Sequence, residues 1–236
     1  HNYSDASNML DEAFKYPLDK SIEAKSYFLS AEIEYINKKY RNSILDYEAF
    51  LQLSKINDWE GESDYRFKAY YGLGYNYFKL SEFEQAILQF EAMESEYKSS
   101  VSAADELMYA DGSLRAGDCY FMVKKYDKAI LAYDKVLNRS GSGKDYALLQ
   151  KGLVQGLIKE YQSKLNSLNR LRSEYPQSVY SDLALYEIGR TQQDMSSNQN
   201  AITSFKNLID TYPSSTYRPL SMIQIGVIYY RQGNTN

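Results

Sequence analysis

Tyr70-Tyr71-Gly72-Leu73-Gly74-Tyr75-Asn76-Tyr77-Phe78-Lys79-Leu80-Ser81-Glu82-Phe83-Glu84-Gln85-Ala86-Ile87-Leu88-Gln89-Phe90-Glu91-Ala92-Met93 is the stretch that decides the fold. Tyr70, Leu73, Gly74 and Tyr77 recur at steps of three and four, and so do Phe83, Ala86, Ile87, Phe90 and Met93 after a polar break at Leu80-Ser81-Glu82. That spacing puts each set on one face of a helix, so the stretch predicts two amphipathic helices folded back on one another. Ser81 and Glu84 match a capping box, in which the hydroxyl and the carboxylate satisfy orphan amide donors at the start of the second helix.

Working outward, the unit recurs along the chain. Residues 1–18 carry Tyr3, Ala6, Leu10 and Phe14 before Tyr16-Pro17, the pattern of a second helix whose partner would come earlier. Full hairpins are predicted at 21–58, 64–100, 102–139, 145–176 and 181–213, with a lone first helix at 216–236. Ser102 and Asp105 give a capping signal that starts the third hairpin early. Lined up by the small residue of each first helix, Ala31, Gly74, Gly117, Gly152, Gly189 and Gly226 lie 43, 43, 35, 37 and 37 residues apart. A period in that range means stacked helical hairpins, an all-α solenoid of antiparallel helix pairs. Glycine inside a helix costs about 1 kcal/mol relative to alanine, so the column implies that the paired helices approach closely there.

Composition agrees with a helical protein: charged residues make up 25%, while Gly (12) and Pro (4) are scarce. Tyrosine is the anomaly, 25 of them against one Trp, and its broad ring with a polar tip suits surfaces half buried between helices or half open to a ligand. A net charge of -4 offers no footprint for wrapping a polyanion, which argues against nucleic acid. No apolar run approaches the roughly 20 residues that span a bilayer, so no direct membrane insertion is expected.

Catalytic and metal chemistry finds little purchase. The single His is His1, and the single Cys119 falls inside a predicted first helix, where a buried thiol is expected. Gly141-Ser142-Gly143-Lys144 lacks the first glycine of a phosphate loop, has Asp145 where a magnesium-holding hydroxyl belongs, and follows no strand; it reads as a linker. Glu32, Glu34, Glu82, Glu84, Glu91 and Glu94 are spaced like a solvated helix face. Lys38-Lys39 and Lys124-Lys125 fall at first-helix ends, where cations complement the dipole. No enzyme activity, cofactor or metal is expected.

Leu73-Gly74, Tyr77, Ala86 and Phe90 together resemble the tetratricopeptide repeat, whose unit has a small residue and a following Tyr in helix A, Ala and Phe four apart in helix B, and a closing Pro. Gly117, Tyr120, Ala129 and Tyr133 resemble it too, as do Gly189, Ala201, Phe205 and Pro213. The family's early Trp is replaced throughout. Tyr175-Pro176-Gln177-Ser178 and Tyr212-Pro213-Ser214-Ser215 are similar to the bacterial cell-envelope branch, the Tol-Pal-associated and outer-membrane-assembly lipoprotein type. That resemblance implies a periplasmic or outer-membrane-associated protein, with a cytoplasmic one as the alternative.

The resemblance also implies a concave groove lined by first-helix residues at fixed offsets from the small position. Carried onto this chain, the offsets and the position three residues earlier select Phe28, Tyr35, Tyr71, Tyr75, Phe78, Asp118, Phe121, Arg190, Gln193 and Tyr230 as partner-binding residues. The family's carboxylate clamp needs Asn, Lys or Arg where Glu32, Tyr75 and Asp118 stand, so capture of an acidic peptide tail is disfavoured. The expectation is a non-enzymatic scaffold that binds a protein or peptide segment through aromatic rings. Two rivals remain open: a carbohydrate-binding lipoprotein using the linker around Trp59, and a structural module that self-associates through its terminal repeats.

Overall fold

The computed structural model describes residues 3–16, 19–55, 62–97, 102–139 and 141–233. His1, Pro17 and the Trp59 linker lie outside them. Among the described residues there are twelve helices and no strand: α1 Tyr3–Ala13, α2 Lys20–Ile36, α3 Tyr40–Ser54, α4 Glu62–Lys79, α5 Phe83–Glu96, α6 Ala103–Met122, α7 Tyr126–Leu137, α8 Lys144–Leu157, α9 Tyr161–Glu174, α10 Ser181–Asp194, α11 Asn198–Thr211 and α12 Tyr217–Arg231. The chain is an all-α helical-repeat solenoid that divides into two compact units, residues 1–128 and 129–236, with the boundary inside α7.

In the first unit α2 packs on α3, α3 on α4, α4 on α5 and α5 on α6, and the first helices α2, α4 and α6 also neighbour one another in sequence. In the second, α8 packs on α9, α9 on α10, α10 on α11 and α11 on α12, and the first helices α10 and α12 also touch. Each core draws on three consecutive helices: Phe28, Ala31, Tyr47, Phe50 and Leu73 from α2, α3 and α4; Leu148, Leu168, Leu171 and Ile188 from α8, α9 and α10; Leu185, Phe205, Leu208 and Ile228 from α10, α11 and α12. No hairpin buries its apolar stripe alone, which is the physical content of a repeat array.

The glycine column does what its cost implies. A β-carbon on Gly74 would stand 2.5 Å from the Phe90 ring, on Gly189 2.6 Å from Phe205, and on Gly152 3.0 Å from Leu168. The bare backbone of the first helix thus seats the large side chain of the second. Gly226 on α12 meets nothing within 4 Å.

The hairpin turns correct the capping-box reading at Ser81. Ser81 sits at φ 60 in the left-handed region, and Lys38, Lys124, Lys159 and Ser196 occupy the same place in their hairpins with φ between 60 and 63. In each turn this residue's amide bonds a carbonyl three back and the next amide bonds one five back, as Ser81 to Phe78 and Glu82 to Tyr77 do at 3.0 and 2.9 Å. Those bonds satisfy the last carbonyls of the first helix. Ser81 therefore ends α4, and Glu82 precedes α5 without a side-chain cap. The Ser102 signal does hold: its hydroxyl accepts the Asp105 amide at 3.3 Å, and α6 starts at Ala103. At the linker, Gly143 with φ 82 leads directly into α8.

Two further ties recur in the second unit. Ser178 donates to Asp145 at 2.7 Å and accepts from the Tyr180 amide at 3.2 Å; Ser215 donates to Asp182 at 2.6 Å and accepts from the Tyr217 amide at 3.1 Å. The serine that follows each Tyr-Pro thus links the end of a hairpin to the first turn of that hairpin's first helix.

A tyrosine-walled cleft as candidate functional site

In the first unit, α2, α3 and α4 enclose a cleft of about 150 Å3 lined by Glu32, Tyr35, Tyr47, Tyr71, Gly72 and Tyr75. Tyr71 and Tyr75 are four apart on α4, which stacks them on one face, and their ring centroids lie 4.9 Å apart. Gly72 opens the floor: a β-carbon there would stand 2.4 Å from the end of the Tyr47 ring. Beneath, Asn76 donates to Ser43 at 2.9 Å and Ser43 donates to the Ala31 carbonyl at 2.8 Å, a buried chain that fixes α4 against α3 and α2.

The hydroxyls of Tyr47, Tyr71 and Tyr75 are committed to carboxylates. Tyr71 donates to Asp111 Oδ2 at 2.9 Å, Tyr75 donates to the same oxygen, and Tyr47 donates to Glu32. Asp111 Oδ1 lies 3.8 Å from Arg115 Nε, and Arg115 reaches Asp118 at 2.5 Å. Burial first, then these charges, pushes the phenols of Tyr47, Tyr71 and Tyr75 above the ordinary tyrosine range; Tyr35 shifts the same way, from burial and then from Tyr40, Glu32 and Asp111. The result is a set of neutral aromatic faces held in place by negative groups.

Of the ten residues selected from the sequence, the structure brings Tyr35, Tyr71 and Tyr75 to this cleft. Phe28 is a correction: only 7% exposed, it packs edge-on against Tyr47, Phe50 and Tyr65 at 5.6, 5.5 and 5.1 Å. Residues three apart share a helix face, so Phe28 follows Ala31 into the core. Phe78 packs on Phe83 at 6.0 Å, Phe121 on Tyr126 at 6.2 Å, and Asp118 is taken up by Arg115. Arg190, Gln193 and Tyr230 belong to the second unit, on α10 and α12, with Tyr230 75% exposed.

Sequence reasoning missed Tyr47 and Asp111 as part of the site. Tyr47 is a buried residue of α3 that nevertheless lines the cleft. Asp111 lies in the early part of α6, and no sequence spacing ties it to the phenols of α4. The Cys119 thiol is buried, and burial, with Asp118 adding and Arg115 opposing, pushes it up to about 12. Among the described residues no cluster of three or more His, Cys, Asp or Glu could hold a metal ion, and no helix is long and apolar enough to cross a membrane.

The family model of the tetratricopeptide repeat matches residues 111–141, 146–178 and 183–215. A search of curated proteins finds no match. Among solved structures, the chain is similar to the C-terminal part of a TPR repeat-containing protein from Cytophaga hutchinsonii, at 20% identity over 100% of this chain and 85% of that one, with TM-score 0.72. It is similar to YrrB, described as a TPR protein with an unusual peptide-binding site, at 16% identity over 85% and 92% of the two chains, with TM-score 0.65. It is also similar to the apo form of RapI, at 14% identity over 96% and 65%, with TM-score 0.75. At these identities the likeness speaks to the fold.

Proposed function

We propose that this chain, which is built of tetratricopeptide repeats, is a non-enzymatic scaffold that holds an extended or helical segment of a partner protein, and that the cleft of Tyr35, Tyr71 and Tyr75 is a docking point for it. One observation carries the reading: three half-exposed tyrosines from two neighbouring first helices converge on one cleft while the core positions beside them are already filled by Tyr47, Phe50, Leu73 and Phe90. Rings in excess of what the core needs, two of them held by hydrogen bonds to Asp111, are the kind of anchor that concentrates binding energy at protein interfaces. The peptide-binding site named for YrrB is consistent with such a use of the fold.

Peptides selected from a random display library against the full chain provide the test. Tyr71→Ala with Tyr75→Ala should weaken the selected peptides at least about tenfold while helicity is retained. Unchanged affinity would remove the cleft from the interface. We further place the protein in the bacterial envelope, on the strength of the Tyr175-Pro176 and Tyr212-Pro213 closures; fractionation of cells expressing the full-length protein, with cytoplasmic recovery, would refute that.

A further inference from the structure

Building on the scaffold reading, we infer that the cleft receives a cationic side chain, Lys or Arg, of the bound segment. The first argument is size. At about 150 Å3 the cleft holds one side chain, not a drug-sized molecule, whose pockets run about 300–1,000 Å3.

The second argument is what the walls present. Tyr47, Tyr71 and Tyr75 each give their hydroxyl proton to a carboxylate, so a visiting group meets ring faces and carboxylate lone pairs. Both attract a cation: the faces through the ring quadrupole, and the carboxylates through charge and whatever acceptor sites the phenols leave of the roughly four on an ionised group. Glu32 lies exposed on α2 and lines the cleft, while Asp111 holds the two α4 phenols from the α6 side. Asp111 and Asp118 share the Arg115 guanidinium, at 3.8 and 2.5 Å. Among the described residues no cationic residue lines the cleft.

The other ligand classes fit worse. An acidic side chain would be repelled by Glu32 and Asp111. A purely apolar one would strip water from the Glu32 carboxylate without replacing its hydrogen bonds, which is unfavourable. A guanidinium or ammonium answers both the rings and the acids.

The test uses the full chain with isotope-labelled tyrosine, titrated with acetyl-arginine amide and with its neutral isostere acetyl-citrulline amide, and followed by ring NMR signals. Arginine should move Tyr35, Tyr71 and Tyr75 and bind at least about tenfold more tightly than citrulline, as charge-assisted and cation–π contacts require. Glu32→Gln, on an exposed helix face, should reduce arginine binding at least about threefold with unchanged melting; Asp111→Asn should do the same. If Asp111→Asn fails to fold, Glu32→Gln and the citrulline comparison still decide. Equal binding of the two amides overturns the cationic assignment and leaves the scaffold reading standing. Silence of the rings toward both amides also overturns it, and silence toward the display-selected peptides as well would overturn the scaffold reading with it.

Discussion

The ring of Phe205 on α11 occupies the space that any side chain on Gly189 of α10 would need. A β-carbon built on Gly189 stands 2.6 Å from Phe205 Cε1, and Phe205 is fully buried with no room to retreat. Gly189→Ala should therefore destabilise the chain by about 1–3 kcal/mol through overpacking, even though alanine is the better helix former by about 1 kcal/mol. Gly226, the same column position on α12, has nothing within 4 Å. There the propensity acts unopposed, and Gly226→Ala should stabilise by about 0.5–1 kcal/mol. Urea unfolding of both variants checks this; shifts of the same sign would refute the packing account of the column.

The left-handed turn residues make the opposite prediction about glycine. Lys159 is exposed and held at φ 63 between α8 and α9, where an L side chain costs about 1–2 kcal/mol and glycine costs little. Lys159→Gly should raise stability by about 0.5–1 kcal/mol after the looser unfolded chain is counted. Lys159→Val should lower it, since a β-branched side chain tolerates that conformation least. Thermal melts of the pair, read against the parent chain, are sufficient.

The contrast between these glycines and lysines marks what the sequence makes legible. Hairpin number and helix direction follow from three-and-four spacing, and the column of small residues follows from period, because burial enforces both. The turn does not, since Lys38, Ser81, Lys124, Lys159 and Ser196 share a backbone conformation but are divided between Lys and Ser, neither of which signals a positive φ. Ser81 and Glu84 mimic a capping box for that reason. At the site, Tyr71 and Tyr75 were visible as a ring pair on one helix face, whereas Phe28 was misplaced because the offset that half exposes Tyr71 points into the α2, α3 and α4 seam one hairpin earlier. Asp111 needed a contact 36 and 40 residues distant in sequence, between α6 and the α4 phenols, which no local pattern encodes.

Lys164 and Glu187 join α9 to α10 at 2.6 Å, with side chains only 10% and 17% exposed. The lysine stem runs over Gly156, where a β-carbon would meet Lys164 Cδ at 2.8 Å. Removing one partner of so enclosed a pair strands a charge: Glu187→Leu should cost about 3 kcal/mol, and adding Lys164→Met should recover most of it. A double-mutant cycle by chemical unfolding measures the coupling; a double variant as unstable as Glu187→Leu alone would show that packing, not charge, dominates.

Alkaline pH should unfold the first unit through its phenols. Tyr47, Tyr71, Tyr75 and Tyr120 all have folded pKa values raised above 10.0, chiefly by burial, with Glu32, Asp111 or Glu91 adding, and Cys119 is raised from 9.0 to about 12. A group whose folded pKa is raised holds its proton more tightly in the native state, so its contribution is complete below the unfolded value. Little from these groups changes below about pH 8. Above that the unfolded chain sheds protons that the native chain keeps, first the thiol and then the phenols, and stability falls with rising pH. Phenolate absorbance followed beside far-ultraviolet circular dichroism should show part of the tyrosine signal appearing only together with loss of helix. Complete, reversible ionisation of all tyrosines with the helices intact would mean that the cleft hydroxyls are not held by Glu32 and Asp111.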